Sequence, residues 1–267
     1  MKPAGMISAG LALVLALAAV PGAAQVPADT AGNAGVDSVD PQALAILDRM
    51  GSYLRSLKRF AVRAEATRET VFDNGQKLQF LEAATYNVAN PDRMMVEVRS
   101  DRRLWRAYYD GRTMSVVEPA RNAYVTFPAT GTVGQVVAAA DAQLGLPMPL
   151  LDLFLWGTPD AQAHQPRAAM RIGTSRVGDE VVGHYAFREA DLDYELWISE
   201  GDQPLPRKMV ITTKTNPALP QYSALYFWNL SPADPPGGFA FTPGPNDRLV
   251  DSGTAKLAAA AAAGKPR

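Results

Sequence analysis

The connections in this sequence are too short for anything but neighbouring strands that run in opposite directions. In "RFAVRAEATRETVF" (59–72), Phe60, Val62, Ala64 and Ala66 alternate with Arg63, Glu65 and Thr67, the period of two that puts every second side chain on one face of a strand. "DNGQ" (73–76) supplies an Asn-Gly turn, and "KLQFLEAATYNV" returns with Leu78, Phe80, Ala84, Tyr86 and Val88 on one face. Pro91 breaks that run, and "RMMVEV" resumes it through Met94, Val96 and Val98. "LWRAYYDGRTMSVVEP" then reads as strand, Asp110-Gly111 turn and strand, with "NAYVTF" as a further short strand. A parallel crossover needs a dozen or more residues, so these segments form an antiparallel meander.

A helix precedes the strands. Asp40 suits an N-cap and Pro41 the first helical position, while Leu44, Leu47, Met50, Leu54 and Leu57 recur along one stripe. The middle of the chain interrupts the sheet: "GTVGQVVAAADAQLG" from Gly131 carries Val133, Val136, Val137, Ala140 and Leu144 at helical spacing. "LPMPLLDLFLW" then concentrates large apolar residues around two prolines. Two readings stay open for this segment, a helix pair plugging the open side of a curved sheet and a lid over an apolar cavity. Strands resume in "MRIGTSRV", "HYAFREA", "DYELWIS", "RKMVITTK" and "YSALYFWNL", with turns at Gly178-Asp179, Ala190-Asp191 and Gly201-Asp202 and a closing strand-like "GGFAFTPG".

The flanks read differently. Lys2, the apolar "GLALVLALAAV" and the small residues of "PGAAQ" form a Sec-type signal peptide over 1–24, cut near Ala24–Gln25, because ten or so apolar residues fall short of the roughly twenty a membrane span needs. Residues 25–38 are a flexible leader, 39–252 the folded domain, and 253–267 an Ala-rich disordered tail. No later segment qualifies as a span. Cysteine is absent, which removes disulfides, thiolate nucleophiles, Cys-ligated zinc and a lipidated Cys, and favours a bacterial periplasmic setting for an exported chain of 267 residues. The formal charge of -1 with no basic cluster excludes nucleic acid as a partner.

Chemistry-bearing patterns are sparse. Glu200-Gly201-Asp202-Gln203 lies between two alternating strands and reads as a hairpin tip, since a calcium loop wants a longer ligand series. His164 falls in a polar loop and His184 in a strand, with no metal-site spacing, and Ser115, Ser175 and Ser199 lie in no nucleophile-elbow pattern. Asp191, Asp193 and Glu195 alternate in "ADLDYELW" at about 7 Å, a spacing that suits a glycoside-hydrolysing carboxylate pair and equally a solvated strand face. No catalytic residue, metal or cofactor is assigned, and the chain is read as a non-enzyme.

The order of elements, with "YYDGRTMSVVEPARNAYVTF", the central helical interruption, "WISEGDQPLPRKMVI" and the closing "FAFTPG", resembles the LolA/LolB-type periplasmic proteins over about 40–250. Within that group it is similar to a family of predicted periplasmic proteins of unknown function. The resemblance implies a mainly β (α+β) fold, a curved antiparallel sheet forming an open half-barrel whose concave face is covered by helices. It also implies a hydrophobic ligand such as an acyl chain, lipid or lipoprotein, although no position here matches a carrier's functional arginine. Trp105, Tyr109, Trp197, Trp228 and Tyr226 on strands, and Met148, Leu150, Leu151, Phe154 and Trp156 in the central segment, are the candidate pocket residues. A monomer is expected. The other classes kept open are an envelope protein-binding or lipid-sensing module, recruited by strand addition, and the carboxylate hydrolase.

Overall fold

A computed structural model describes residues 38–146, 148–159 and 165–253. The signal peptide, nearly all of the leader and tail, and His164 lie outside the described residues.

The helix α1 (Pro41–Ser56) opens as its sequence dictates: the Asp40 carboxylate accepts from the Gln42 N–H at 2.8 Å, and Pro41 occupies the first turn. Six strands follow in order, β1 (Arg59–Val71), β2 (Lys77–Ala89), β3 (Arg93–Ser100), β4 (Leu104–Tyr109), β5 (Thr113–Glu118) and β6 (Ala123–Pro128). Each pairs antiparallel with the next. The Asn-Gly and Asp-Gly turns sit where expected, with Gly75 at φ +81° and Gly111 at φ +93°.

After β6 the chain forms α2 (Val133–Leu144), the four-residue α3 (Pro149–Asp152) and a 3-10 turn (Leu153–Leu155) before re-entering the sheet. A second meander then runs through β7 (Ala168–Val177), β8 (Glu180–Arg188), β9 (Leu192–Ser199), β10 (Pro206–Thr213) and β11 (Gln221–Asn229). The sheet order is β12-β6-β5-β4-β3-β2-β1-β11-β10-β9-β8-β7, with β12 (Arg248–Leu249) laid parallel to β6. The two meanders therefore meet at one antiparallel seam, β1 against β11. The helical connection starts next to one edge and ends at the other.

That topology requires curvature. α1 begins at β7, where the Asp40 N–H donates to the Ala169 carbonyl, and ends where the Asn90 side-chain amide caps the carbonyls of Leu54 and Leu57 at 3.1 and 2.6 Å. From β7 to β2 is six strand steps, about 29 Å across a flat sheet at ~4.8 Å a step, whereas 16 helical residues span about 24 Å. The sheet curls round the helix, open between β12 and β7.

One core fills the concave side, uniting Phe60, Val62, Tyr86, Met94 and Tyr109 with Phe187, Leu196 and Tyr226 from the other meander, α1's Leu47, Met50 and Leu54, and the central Leu150, Leu151 and Phe154. A close approach holds the connection against α1: Gly51 faces the Trp156 backbone, and the Arg55 guanidinium donates to the carbonyls of Phe154, at 2.7 Å, and Trp156. Arg55 sits there at a cost, because burial pushes its pKa down against the raising influence of Asp48. α2 carries a capping box between Thr132 and Gln135 and ends at Gly145, φ +63°.

One expectation is corrected. "GGFAFTPG" is not a strand: Gly237 and Gly238 take successive left-handed conformations (φ +81° and +73°) after two prolines, which ends extension. Phe241 instead packs its ring against Tyr108 and Tyr124, with centroids 5.6 and 5.1 Å apart, and the closing strand comes later, at Arg248–Leu249.

Candidate ligand-binding site

The inward-facing stripe of each strand changes character along its length. On β1 it runs Phe60, Val62, Ala64 and Ala66, all buried, then Arg68 and Thr70. On β2, read from the covered end, Val88, Tyr86 and Ala84 give way to Glu82 and Phe80, on β3 Val98 to Ser100, and on β4 Trp105 is preceded by Arg103. The apolar half lies under the helices. The polar half extends past the end of α2.

Where the two halves meet, the structure leaves a cavity of about 350 Å³, at the lower end of the range for small-molecule pockets, about 300–1,000 Å³. Tyr86, Val98, Trp105 and Tyr222 line its apolar side with Leu146, which follows α2, while Phe80, Arg68, Arg102, Arg103, Glu69 and Glu82 line the rest. Trp105, Tyr86 and Tyr222 are all buried.

The polar groups are held in a defined arrangement. Arg68 donates through Nε and Nη2 to the Glu82 carboxylate at 3.3 and 3.4 Å, and its Cζ lies 4.6 Å over the Tyr222 ring. Arg102 stacks in the same way on Phe80, at 5.1 Å. Arg103 is half-buried, its Nε 3.5 Å from Glu118, which also faces Arg121 at 3.7 Å. Its Nε has no hydrogen-bond partner. Burial pushes the Arg103 pKa down, Glu118 opposes this, and the Arg121 charge adds to the lowering. The Tyr222 phenol is pushed up, first by burial and then by Glu82. Glu69 is engaged by Lys77 at 3.0 Å and by the Gln221 N–H at 2.9 Å.

Residues 43–252 match the family model described as predicted periplasmic protein, DUF2092. The chain belongs to this family. No curated protein matches it. Among solved structures it is similar to an uncharacterized conserved protein from Thermus thermophilus, at 13% identity and TM-score 0.46, covering 78% of this chain and 98% of that one. It is also similar to LprF from Mycobacterium bovis, at 12% identity and TM-score 0.39, covering 79% and 100%. A third is the LolA superfamily protein NE2245 from Nitrosomonas europaea, at 12% and 0.34, covering 74% and 97%. At these values nothing of the neighbours' function is carried to this DUF2092 member. The family assignment agrees with the one read from the sequence.

Of the aromatic and apolar residues singled out in the sequence, Trp105 lines the cavity. Met148, Leu150, Leu151, Phe154 and Trp156 are packed into the core at 0–8% exposure, with Phe154 stacked on Phe60 at 5.5 Å, so the central segment fills the concave space next to the cavity. Tyr109 is buried with its hydroxyl donating to the Gly131 carbonyl at 2.7 Å, and Tyr226 is buried in the same core. Trp228 tilts against Phe60 on the inner face and donates to the Pro206 carbonyl at 2.8 Å. Trp197 lies on the other face of β9 from Tyr194, Leu196 and Ile198, packed with Val182 and Val210 outside the main core. It is therefore not brought together with the rest.

The sequence reading passed over Arg68, Phe80, Glu82, Tyr86, Arg102, Arg103, Leu146 and Tyr222. A signal was available: Arg68, Glu82 and Arg103 occupy inward positions of alternating strands, where a fully covered face would be apolar.

Of the carboxylates considered for hydrolysis, Asp193 and Glu195 lie on the outer face with Trp197, and Asp191 falls in the turn before β9. Asp193 accepts from Lys214 at 2.7 Å and pairs with Arg188 at 3.3 Å, and Glu195 meets His184 Nε2 at 2.8 Å while that imidazole stacks on Trp197 at 4.1 Å. Asp193 and Glu195 thus each have a basic neighbour across the sheet, the arrangement of a structural strand face. Gly201, at φ +87°, is the hairpin tip expected, with Glu200 paired to Arg171 at 3.2 Å. No helix among the described residues is long and apolar enough to cross a membrane.

Proposed function

We propose that this chain is a non-catalytic periplasmic binding or carrier protein for a hydrophobic ligand such as an acyl chain, lipid or lipoprotein, exported by a signal peptide cut near Ala24–Gln25. The observation that carries the reading is the cavity at the end of α2, where the apolar concave face emerges from beneath its own helices. Tyr86, Val98, Trp105, Leu146 and Tyr222 offer flat and flexible apolar surface there. Leu146 brings the start of the central segment to this site, and the buried residues that follow it pack the neighbouring core. The outer-face carboxylates are on the opposite side of the sheet from the cavity, which favours binding over hydrolysis.

Titration of the purified protein with a fluorescent acyl-chain probe tests this. Uptake is expected to change tryptophan emission, and Trp105→Phe is expected to remove most of that change while the fold is retained. Folded protein that takes up no probe would refute the reading.

A protein-binding module is the second reading, favoured by β7. Among the described residues its outer edge is met only near Ala169, by Ser38, Val39 and Asp40, and Ile172 is 52% exposed. Recovery of an envelope protein bound by backbone pairing at β7, together with failure of acyl-chain uptake, would favour that module over the carrier.

A further inference from the structure

We infer that the ligand of the cavity at the end of α2 is an amphipathic anion, its acyl part lying against Trp105, Tyr86 and Leu146 and its anionic head held by Arg68 and Arg103. This rests on the binding reading above and adds the charge of the ligand to it.

Of the two carboxylates that line the space, Glu69 is already engaged by Lys77 and the Gln221 N–H, which leaves Glu82 as the acceptor that Arg68 meets. Its two contacts from Arg68, at 3.3 and 3.4 Å, are long for charge-assisted hydrogen bonds, which run about 2.7–2.9 Å. A guanidinium carries five N–H donors, so Arg68 retains capacity for a further acceptor.

Arg103 makes the stronger case. A cation largely withdrawn from water normally has a close, hydrogen-bonded counter-ion, because a desolvated charge is costly without one. Here the nearest carboxylate oxygen on Glu118 stands 3.5 Å away and is shared with Arg121, and the buried Nε donates to nothing. A carboxylate, sulfate or phosphate head would supply the missing acceptor in the geometry a guanidinium favours.

Preorganisation points the same way. Stacking of Arg68 on Tyr222 fixes its planar fork at the cavity wall before any ligand arrives, so little side-chain entropy remains to be lost on binding. An alcohol or a quaternary ammonium head gains none of this, and the ammonium would meet like charge. The apolar side and the cationic side are separated within the same cavity, which suits a molecule with one greasy end and one negative end.

The test compares dodecanoate, dodecan-1-ol and dodecyltrimethylammonium as competitors of the acyl-chain probe, each below its aggregation threshold, with acetate as a chainless anion. Dodecanoate is expected to compete about tenfold or more better than the alcohol, the ammonium least, and acetate not at all. Raised salt should narrow the difference. Arg103→Met, which keeps the packing of the stem, and Arg68→Gln should each bring dodecanoate close to the alcohol when the two are compared on the same variant. Should Arg103→Met fail to fold, Arg68→Gln decides the matter alone. Equal competition by all three heads in the wild type would overturn the anion assignment and leave the binding reading standing. Competition by acetate as strong as by dodecanoate would also overturn it, as a bare anion site. Absence of uptake of the probe itself would overturn the binding reading, and the assignment with it.

Discussion

Gly51→Ala separates helix propensity from packing in a single methyl group. By propensity alone, alanine at a mid-helix glycine stabilises by about 1 kcal/mol. The structure reverses the sign. A Cβ at Gly51 would come within 3.0 Å of the Trp156 carbonyl carbon and of Arg55 Nη1, and closer still to the Trp156 carbonyl oxygen. Two of these atoms are backbone and cannot rotate away, so the segment around Trp156 must move off α1. Overpacking of this kind costs about 1–3 kcal/mol. The same displacement loosens the bonds from Arg55 to the Phe154 and Trp156 carbonyls, about 1 kcal/mol more. Set against the helical gain, a net loss of about 1–3 kcal/mol remains. For a domain of this size each kcal/mol lowers Tm by about 2–4 °C. Thermal unfolding followed by circular dichroism, with urea midpoints as a second measure, reads the effect. A Tm equal to or above that of the wild type would show that α1 and the connection are not in the contact described, and with it would go the account of the central segment as fixed core.

Two further outcomes follow from the geometry. Leu151 is fully buried, so Leu151→Ala should cost about 2–5 kcal/mol in urea unfolding, and a loss below about 1 kcal/mol would mean that the segment is not packed core. Glu97 is held below the usual carboxylate range, first by the hydrogen bond from Arg106 and then by its charge and by Arg99, with burial acting in the opposite sense. A depressed carboxylate stabilises above its unfolded pKa, about 4.3, and loses that contribution as pH falls through the lower folded value, so wild type should lose more stability than Glu97→Gln between about pH 5 and pH 3. Equal acid sensitivity of the two would refute this.

The fold was legible where short-range rules act alone. The alternation of Phe60 to Ala66, the Asp110-Gly111 turn, and the Asp40-Pro41 helix start each depend on a few neighbours, and each appears as read. The β1–β11 seam was not legible, because nothing local marks which two strands of separate meanders will pair. Trp197 illustrates a different loss: the period of two already placed it opposite Leu196 and Ile198, but aromatic character drew attention away from register. The cavity stayed hidden for a third reason. Arg68 on β1, Glu82 on β2 and Arg103 just before β4 converge only once pairing sets Arg68 opposite Phe80 and Glu82 opposite Ser100. In the sequence each is simply one charged residue in or beside a strand.

The β1–β11 seam also governs the order in which this molecule can be made. Each meander closes through loops of a few residues and can assemble as it leaves the translocation or synthesis machinery, yet the seam unites residues more than about 150 positions apart. Until β11 is delivered, β1 has an open flank and the inner wall has only half its cover. Loop-closure entropy therefore falls on one late step, and an interrupted or truncated chain would present a naked strand to its surroundings. Chaperone dependence should concentrate in that interval.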